Sequence, residues 1–240
     1  MTDMIIRTLL GTVFVWSLSA CGSDPVIDPA ECVSGLTGEE QSTGWRMLFD
    51  GSSLDQWRSY KEDSVNSGWA IENGCLARVG WGGDLMSREQ FANFELKLEW
   101  AISPGGNSGI FIRADESGRT MHHTGYEMQV LDNALHKDAS IPSHRAGAYY
   151  DMIVPDHDTS KPAGYWNEVH IIADGANVEF WLNGRITAQF EQGSPEWKAL
   201  YEKSKFTSRP KYGSLFKGHI GFQDHYDKVW YRNIRIKELP

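Results

Sequence analysis

Long hydrophobic runs, cysteine and clustered positive charge are all scarce in this 240-residue sequence. A multi-span membrane protein is excluded, because a spanning helix needs about 20 consecutive apolar residues and such stretches do not recur. Three cysteines with no CxxC or Cys/His spacing exclude structural zinc, so any divalent metal would rest on oxygen and imidazole ligands. A formal net charge of -9 and the lack of a basic run exclude nucleic acid, whose binding rests on clustered Lys and Arg that release counterions. Without internal repeats, low-complexity tracts or crossover helices, neither a solenoid nor a parallel sheet fits. What is present is ordinary for a globular protein, 40% hydrophobic and 23% charged. Ten Trp, nine Tyr and ten Phe suit either a large β core or flat platforms for sugar rings.

The chain opens with Arg7 and an apolar run from Leu9 to Leu18, which reads as a secretory signal. The run ends Leu18-Ser19-Ala20-Cys21, similar to the lipobox of bacterial lipoproteins, in which the cysteine thiol takes a diacylglyceryl group. The expectation is an exported protein, lipid-anchored through Cys21 to a bacterial membrane and facing the periplasm or cell surface. Residues 1–21 would be signal and lipobox, 22–43 a tether containing Pro25 and Pro29, and 44–240 the domain. Thr37 followed by Glu40 has the pattern of a capping box for one helical turn. Cys32 and Cys75 remain after the anchor: an oxidising compartment allows them to pair, and one exposed plus one buried thiol fits equally well.

From Trp45 onward, apolar runs are broken by turn signals every ten or so residues, the pattern of short strands. Phe94 to Ile102 alternates most cleanly, with one face for core and one for water. Segments 110–114, 126–131, 168–173, 178–182, 219–223 and 229–236 read as further strands. Asp50-Gly51, Asn73-Gly74 and Asn183-Gly184 are hairpin-type dipeptides, since both residues tolerate positive φ. Ser194 as N-cap and Pro195 at the first helical position start a single helix with Trp197, Leu200 and Tyr201 on one face. The architecture is therefore all-β, an antiparallel jelly-roll sandwich with one short inserted helix.

Chemistry concentrates around Tyr126-Glu127-Met128-Gln129-Val130-Leu131-Asp132. Strand alternation points Glu127 and Gln129 to one wet face and Tyr126, Met128 and Val130 to the other. Asp132 has the wrong parity to join them unless a bulge after Gln129 re-aims it. Phe111 and Arg113 share a face, so Arg113 is positioned for a fork-like contact to Glu127 or to a sugar oxygen. Gln223-Asp224-His225 form a polar group at a strand end, with His225 the side-chain type that exchanges a proton near neutral pH. His122, His123, His136 and His144 lie in loops around the same strand.

These residues together resemble the 3-keto-disaccharide hydrolase domain family, similar in fold to concanavalin-like lectins and laminarinase-type glucanases. The resemblance runs from about Gly44 to Leu239. It is carried by Asn107-Ser108-Gly109-Ile110-Phe111 with Arg113, Gly125-Tyr126-Glu127-Met128-Gln129 with Leu131-Asp132-Asn133, and His144-Arg145-Ala146-Gly147-Ala148 with Tyr150-Asp151. Trp166-Asn167-Glu168, Trp181-Leu182-Asn183-Gly184, Ser204-Lys205-Phe206, Gly218-His219-Ile220, Gln223-Asp224-His225 and Arg232-Asn233-Ile234 continue it. The resemblance implies a site on the concave sheet face and a glycoside or oligosaccharide first oxidised at C3 by a separate sugar oxidoreductase. It implies catalytic roles for Glu127, His225, Arg113, Gln129 and Asp132. Glu127 or His225 would be base and the other proton donor, with Arg113 and Gln129 holding the ketone and hydroxyl oxygens. Asn107, His144, Tyr150, Trp166, Gln223 and Asp224 would bind substrate, and a divalent metal is an alternative holder of the ketone oxygen. Phe180 stands where related sequences often carry His. A non-catalytic carbohydrate-binding module and a conventional endo-glucanase are the alternative readings, the latter weakened by an amide, Gln129, between Glu127 and Asp132.

Overall fold

The computed structural model describes Cys32 and residues 35–240. Cys21, the expected signal segment and most of the expected tether lie outside the described residues. Eight strands form one antiparallel sheet: β1 (Arg46–Phe49), β3 (Trp69–Glu72), β4 (Cys75–Arg78), β6 (Phe94–Ile102), β9 (Asn167–Asp174), β10 (Asn177–Leu182), β11 (Arg185–Glu191) and β13 (Val229–Glu238). Their order is β11-β10-β9-β6-β13-β4-β3, with β1 also paired to β13. The second sheet contains β2 (Trp57–Ser59), β5 (Leu85–Phe91), β7 (Asn107–Ala114), β8 (Tyr126–Leu131) and β12 (Gly218–Phe222), ordered β2-β5-β12-β7-β8. The fold is an all-β sandwich of concanavalin-like type. Its core lies between the sheets, where Leu96, Leu98, Trp100 and Ile102 of β6 join one buried cluster with Ile110, Ile112, Tyr126, Met128 and Val130.

The turns explain part of the connectivity. Asn73-Gly74 and Asn183-Gly184 both take positive φ and close the β3–β4 and β10–β11 hairpins. Asp50-Gly51 does not close a hairpin. Its neighbours β1 and β2 belong to different sheets, and Asp50 instead caps the backbone and hydroxyl of Ser52 at 2.9 and 2.7 Å.

The chain before the sandwich is partly docked. Helix α1 (Gly38–Ser42) has the reciprocal Thr37–Glu40 capping box, and Glu40 also accepts from Arg235 at 2.7 Å. Residues 37–42 are thus part of the folded unit and not free tether, and Cys32 is disulfide-bonded to Cys75. Helix α2 (Pro195–Lys203) begins with the Ser194 hydroxyl accepting from the Trp197 amide. Its Trp197 packs on Tyr126 and Tyr201, and its indole N–H donates to the Tyr149 hydroxyl. The chain then enters a 3₁₀ turn, Lys205–Ser208, that leads to Arg209. Among the described residues, no helix is long and apolar enough to cross a membrane.

Candidate active site

Glu127 and Gln129 leave β8 on the face turned away from the sandwich core, while Tyr126, Met128 and Val130 enter the core. Neighbouring strands make room for them. Gly109 of β7 pairs with Gln129, and a Cβ at position 109 would sit 2.4 Å from Oε1 of Glu127. A glycine there lets the carboxyl lie flat across the adjacent strand. Past the end of β12, the Gln223 amide hydrogen-bonds Glu127, and its backbone N–H donates to the Gly109 carbonyl. Gln129, which lines the cleft, donates to Oδ1 of Asn107 at 3.0 Å, while its own Oε1 is buried without a partner.

The opposite wall comes from loops. Asn107, His122, Glu127, Gln129, Gln223 and His225 meet Tyr150, Lys205, Phe206 and Arg209 around a cavity of about 150 Å³. Lys205 donates from Nζ to the Tyr150 hydroxyl at 2.7 Å and lies 4.0 Å from the centre of that ring. Its backbone N–H donates to Asp151, whose other carboxylate oxygen faces His144 Nε2 at 3.2 Å. The His144 ring lies against Tyr150, centroids 4.4 Å apart. Arg209 donates to the His122 carbonyl at 2.8 Å and stands over the Phe206 ring.

Glu127 is the one carboxyl among these lining residues, and burial pushes it up to about 8. Asp84 adds to that rise, while Lys205, Arg209 and the Gln223 hydrogen bond oppose it. Burial drives His122 the other way, to about 3, with Arg209, His123 and Lys205 adding repulsion, so its imidazole is neutral. Burial also raises Tyr150 and lowers Lys205. The cleft thus holds one carboxyl near its titration point, two cations, a phenol and two imidazoles. Among the described residues no three His, Cys, Asp or Glu side chains gather to hold a metal ion.

Residues 44–237 match the 3-keto-alpha-glucoside-1,2-lyase-like domain family. The chain belongs to this family. A Bacteroides thetaiotaomicron protein named 3-keto-disaccharide hydrolase is 37% identical over 229 aligned positions, covering 82% of this chain and 79% of that protein. A crystal structure of a candidate glycosyl hydrolase from Parabacteroides distasonis superposes with TM-score 0.81 at 30% identity, covering 91% of this chain and all of that one. A Bacillus subtilis protein with a galectin-like fold, at 16% identity and TM-score 0.54 over 81% of this chain and 94% of its own, shares the fold alone.

In this lyase-like domain, Glu127, Gln129, His225, Asn107, Tyr150 and Gln223 converge on one cleft, with His144 directly behind Tyr150. Four other expected site residues do not join them. Arg113 sits where the β7–β12 register shifts, takes φ 51, and turns away from Glu127. Its guanidinium binds the carbonyls of Ala92 and Gly175 and the Gln192 side chain, fastening three turns at the sandwich end. Asp132 keeps its parity because β7 and β8 pair without a bulge, and its carboxylate accepts from the Gly105 and Ala134 amides. Asp224 is held by Arg78 at 2.6 Å and by the Gly82 and Gly83 amides. Trp166 belongs to a separate cluster with Cys32, Cys75 and Trp230, under the Arg232 guanidinium. Phe180 is wholly buried against Tyr149 and Phe190, so position 180 faces the core and not the cleft. Lys205 and Arg209 join the cleft without a role read from sequence; the signal for Lys205 is its place in the family-like block Ser204-Lys205-Phe206, and Arg209 has none.

Proposed function

We propose that the domain cleaves the glycosidic bond of 3-keto glycosides by elimination followed by hydration. One observation carries this reading: the cleft contains a single carboxyl, Glu127, faced by two cations. Double displacement at a sugar needs two carboxyl groups about 5–5.5 Å apart. Elimination beside a ketone needs one base, one proton donor and a positive site for enolate charge.

Glu127 takes the C2 proton, which the neighbouring C3 ketone makes acidic. The C2–H electrons form the enolate, whose charge builds on the C3 oxygen near Lys205, Arg209 and the Tyr150 hydroxyl. Lys205 only donates to the Tyr150 oxygen, so the phenolic proton is free to point to the ketone oxygen. As the enolate collapses, the C1–O bond breaks and the leaving oxygen receives a proton from His225 at the cleft mouth. Water then adds to C1 of the unsaturated ketone and gives up one proton to His225, while Glu127, its proton exchanged with solvent once the leaving group has departed, protonates C2 to give the free 3-keto sugar. The unpartnered Oε1 of Gln129 accepts from a ring hydroxyl. The substrate requires a separate sugar oxidoreductase that acts first at C3.

Cleavage of a 3-keto glucoside by the purified domain, with no cleavage of the unoxidised glucoside under the same conditions, is the expected result. Equal rates on both, or a glycosyl adduct trapped on Glu127, would return the protein to conventional hydrolases. We further propose export and lipid anchoring at Cys21, supported by the Leu18-Ser19-Ala20-Cys21 pattern. Cys21→Ala should then move the protein from the membrane to the soluble fraction, and unchanged membrane retention would remove the anchor.

A further inference from the structure

The cavity around Glu127, about 150 Å³, is smaller than the roughly 300–1,000 Å³ typical of pockets that enclose drug-sized ligands. It has room for one sugar ring, so the group leaving from C1 must lie outside it. Beside the mouth stands a pair of large exposed rings. Trp81 and Tyr226 are each 68% exposed, and they stack with centroids 5.4 Å apart and planes 15° from parallel. The Tyr226 ring lies 6.2 Å from His225, which lines the cavity.

Such exposure is unfavourable for the fold, yet the surrounding structure holds the pair in place. Asp224 accepts from the Gly82 and Gly83 amides that follow Trp81 and from the Tyr226 amide. Arg78 bridges the two segments, donating to Asp224 at 2.6 Å and to the Tyr226 carbonyl at 2.6 Å. Tyr226 takes a positive φ of 72, which an L residue adopts only when its neighbours impose it. A buried ion pair and a strained backbone therefore serve to present two aromatic faces to solvent.

We propose that Trp81 and Tyr226 form the leaving-group subsite, a platform for the ring-shaped aglycone or second sugar of the glycoside whose first ring lies over Glu127. Aromatic faces suit this occupant because sugar and aryl rings both present flat C–H or π surfaces. The position also accounts for His225, which both lines the cavity and lies beside the Tyr226 ring, within reach of an oxygen shared by the two rings of the substrate. Asp224 acts here as a positioning residue. The subsite rests on the elimination reading for its chemistry, but ring binding can be measured without it.

The test compares kcat/KM for a 3-keto disaccharide with that for the 3-keto methyl glycoside, which has no ring to leave. Trp81→Ala and Tyr226→Ala should each lower the disaccharide-to-methyl ratio about 3–10-fold, the worth of one ring contact, mainly through KM. Trp81→Phe should restore most of the loss. Tyr165→Ala, which removes another exposed ring, should leave the ratio unchanged. An unaltered ratio in both platform variants, or an equal change in Tyr165→Ala, would overturn the proposal. If the wild type cleaves neither substrate, the elimination reading fails, and the platform is judged separately. The Trp81 indole N–H resonance should then shift on titration with the unoxidised disaccharide and not with methyl glucoside, and equal response to both would overturn it.

Discussion

At the scale of single residues, the account turns on Glu127. Burial lifts it from 4.5 to about 8, so removal of the C2 proton, read as exchange with deuterated water, should rise with pH through about 8 as carboxylate forms. Glu127→Gln should lose about 10²–10⁴-fold in rate and the rising limb with it. A rate that instead falls through this region would make Glu127 the proton donor. The same shift has a cost in stability. As pH rises, the unfolded chain releases this proton first, so the contribution of Glu127 to stability falls between about 4.5 and 8. Glu127→Gln should therefore match the wild type in urea unfolding near pH 4.5 and exceed it by about 2–4 kcal/mol near pH 8. A difference that does not change with pH would contradict the burial of this group. Arg113 is the contrasting case: Arg113→Ala should lower stability through the three turns it fastens, and the surviving folded enzyme should retain its kcat.

At the scale of elements, the cleft is a product of strand pairing and one inserted segment. Because Gly109 pairs with Gln129 and lies beneath the Glu127 carboxyl, Gly109→Ala should displace that carboxyl while the strand still forms. An at least ~10-fold loss in kcat with an unchanged far-UV spectrum is expected, and full activity would show that the carboxyl does not lie over this strand. The pairing was legible in the sequence where alternation is regular: Tyr126–Leu131 and Phe94–Ile102 have the strand limits that the pattern gives. It was illegible where one residue of irregular backbone resets parity, as at Arg113, since a register shift leaves no mark in composition. Asp132 and Asp224 were misread for a related reason. A short acid at a strand end can bind backbone amides as readily as a ligand, and only the loop geometry decides. Lys205 and Arg209 escaped because they start and follow a 3₁₀ turn, where no period connects a side chain to a face.

At the scale of the whole molecule, the sandwich is closed by the Cys32–Cys75 bridge, which spans 43 residues and ties the leading segment to β4. Its loss in Cys32→Ser should lower stability by about 3–4 kcal/mol, seen as a lower melting temperature and as sensitivity of the wild type to reductant. An unchanged melting temperature would show that the bridge adds nothing to the fold. With the core between the sheets and the cleft on the outer face of the smaller one, substrate chemistry is kept apart from the packing that stabilises the fold. The same separation places Phe180 in the core, away from the cleft lining. The central claim is that a proton leaves C2 before the glycosidic bond breaks. Its most direct test is incubation of a 3-keto glucoside in deuterated water, with nuclear magnetic resonance read at C2 of both remaining substrate and product. Deuterium at C2 of the product with the wild type, and its near-complete loss with Glu127→Gln, is the predicted result; cleavage that leaves the original hydrogen on C2 would contradict elimination outright.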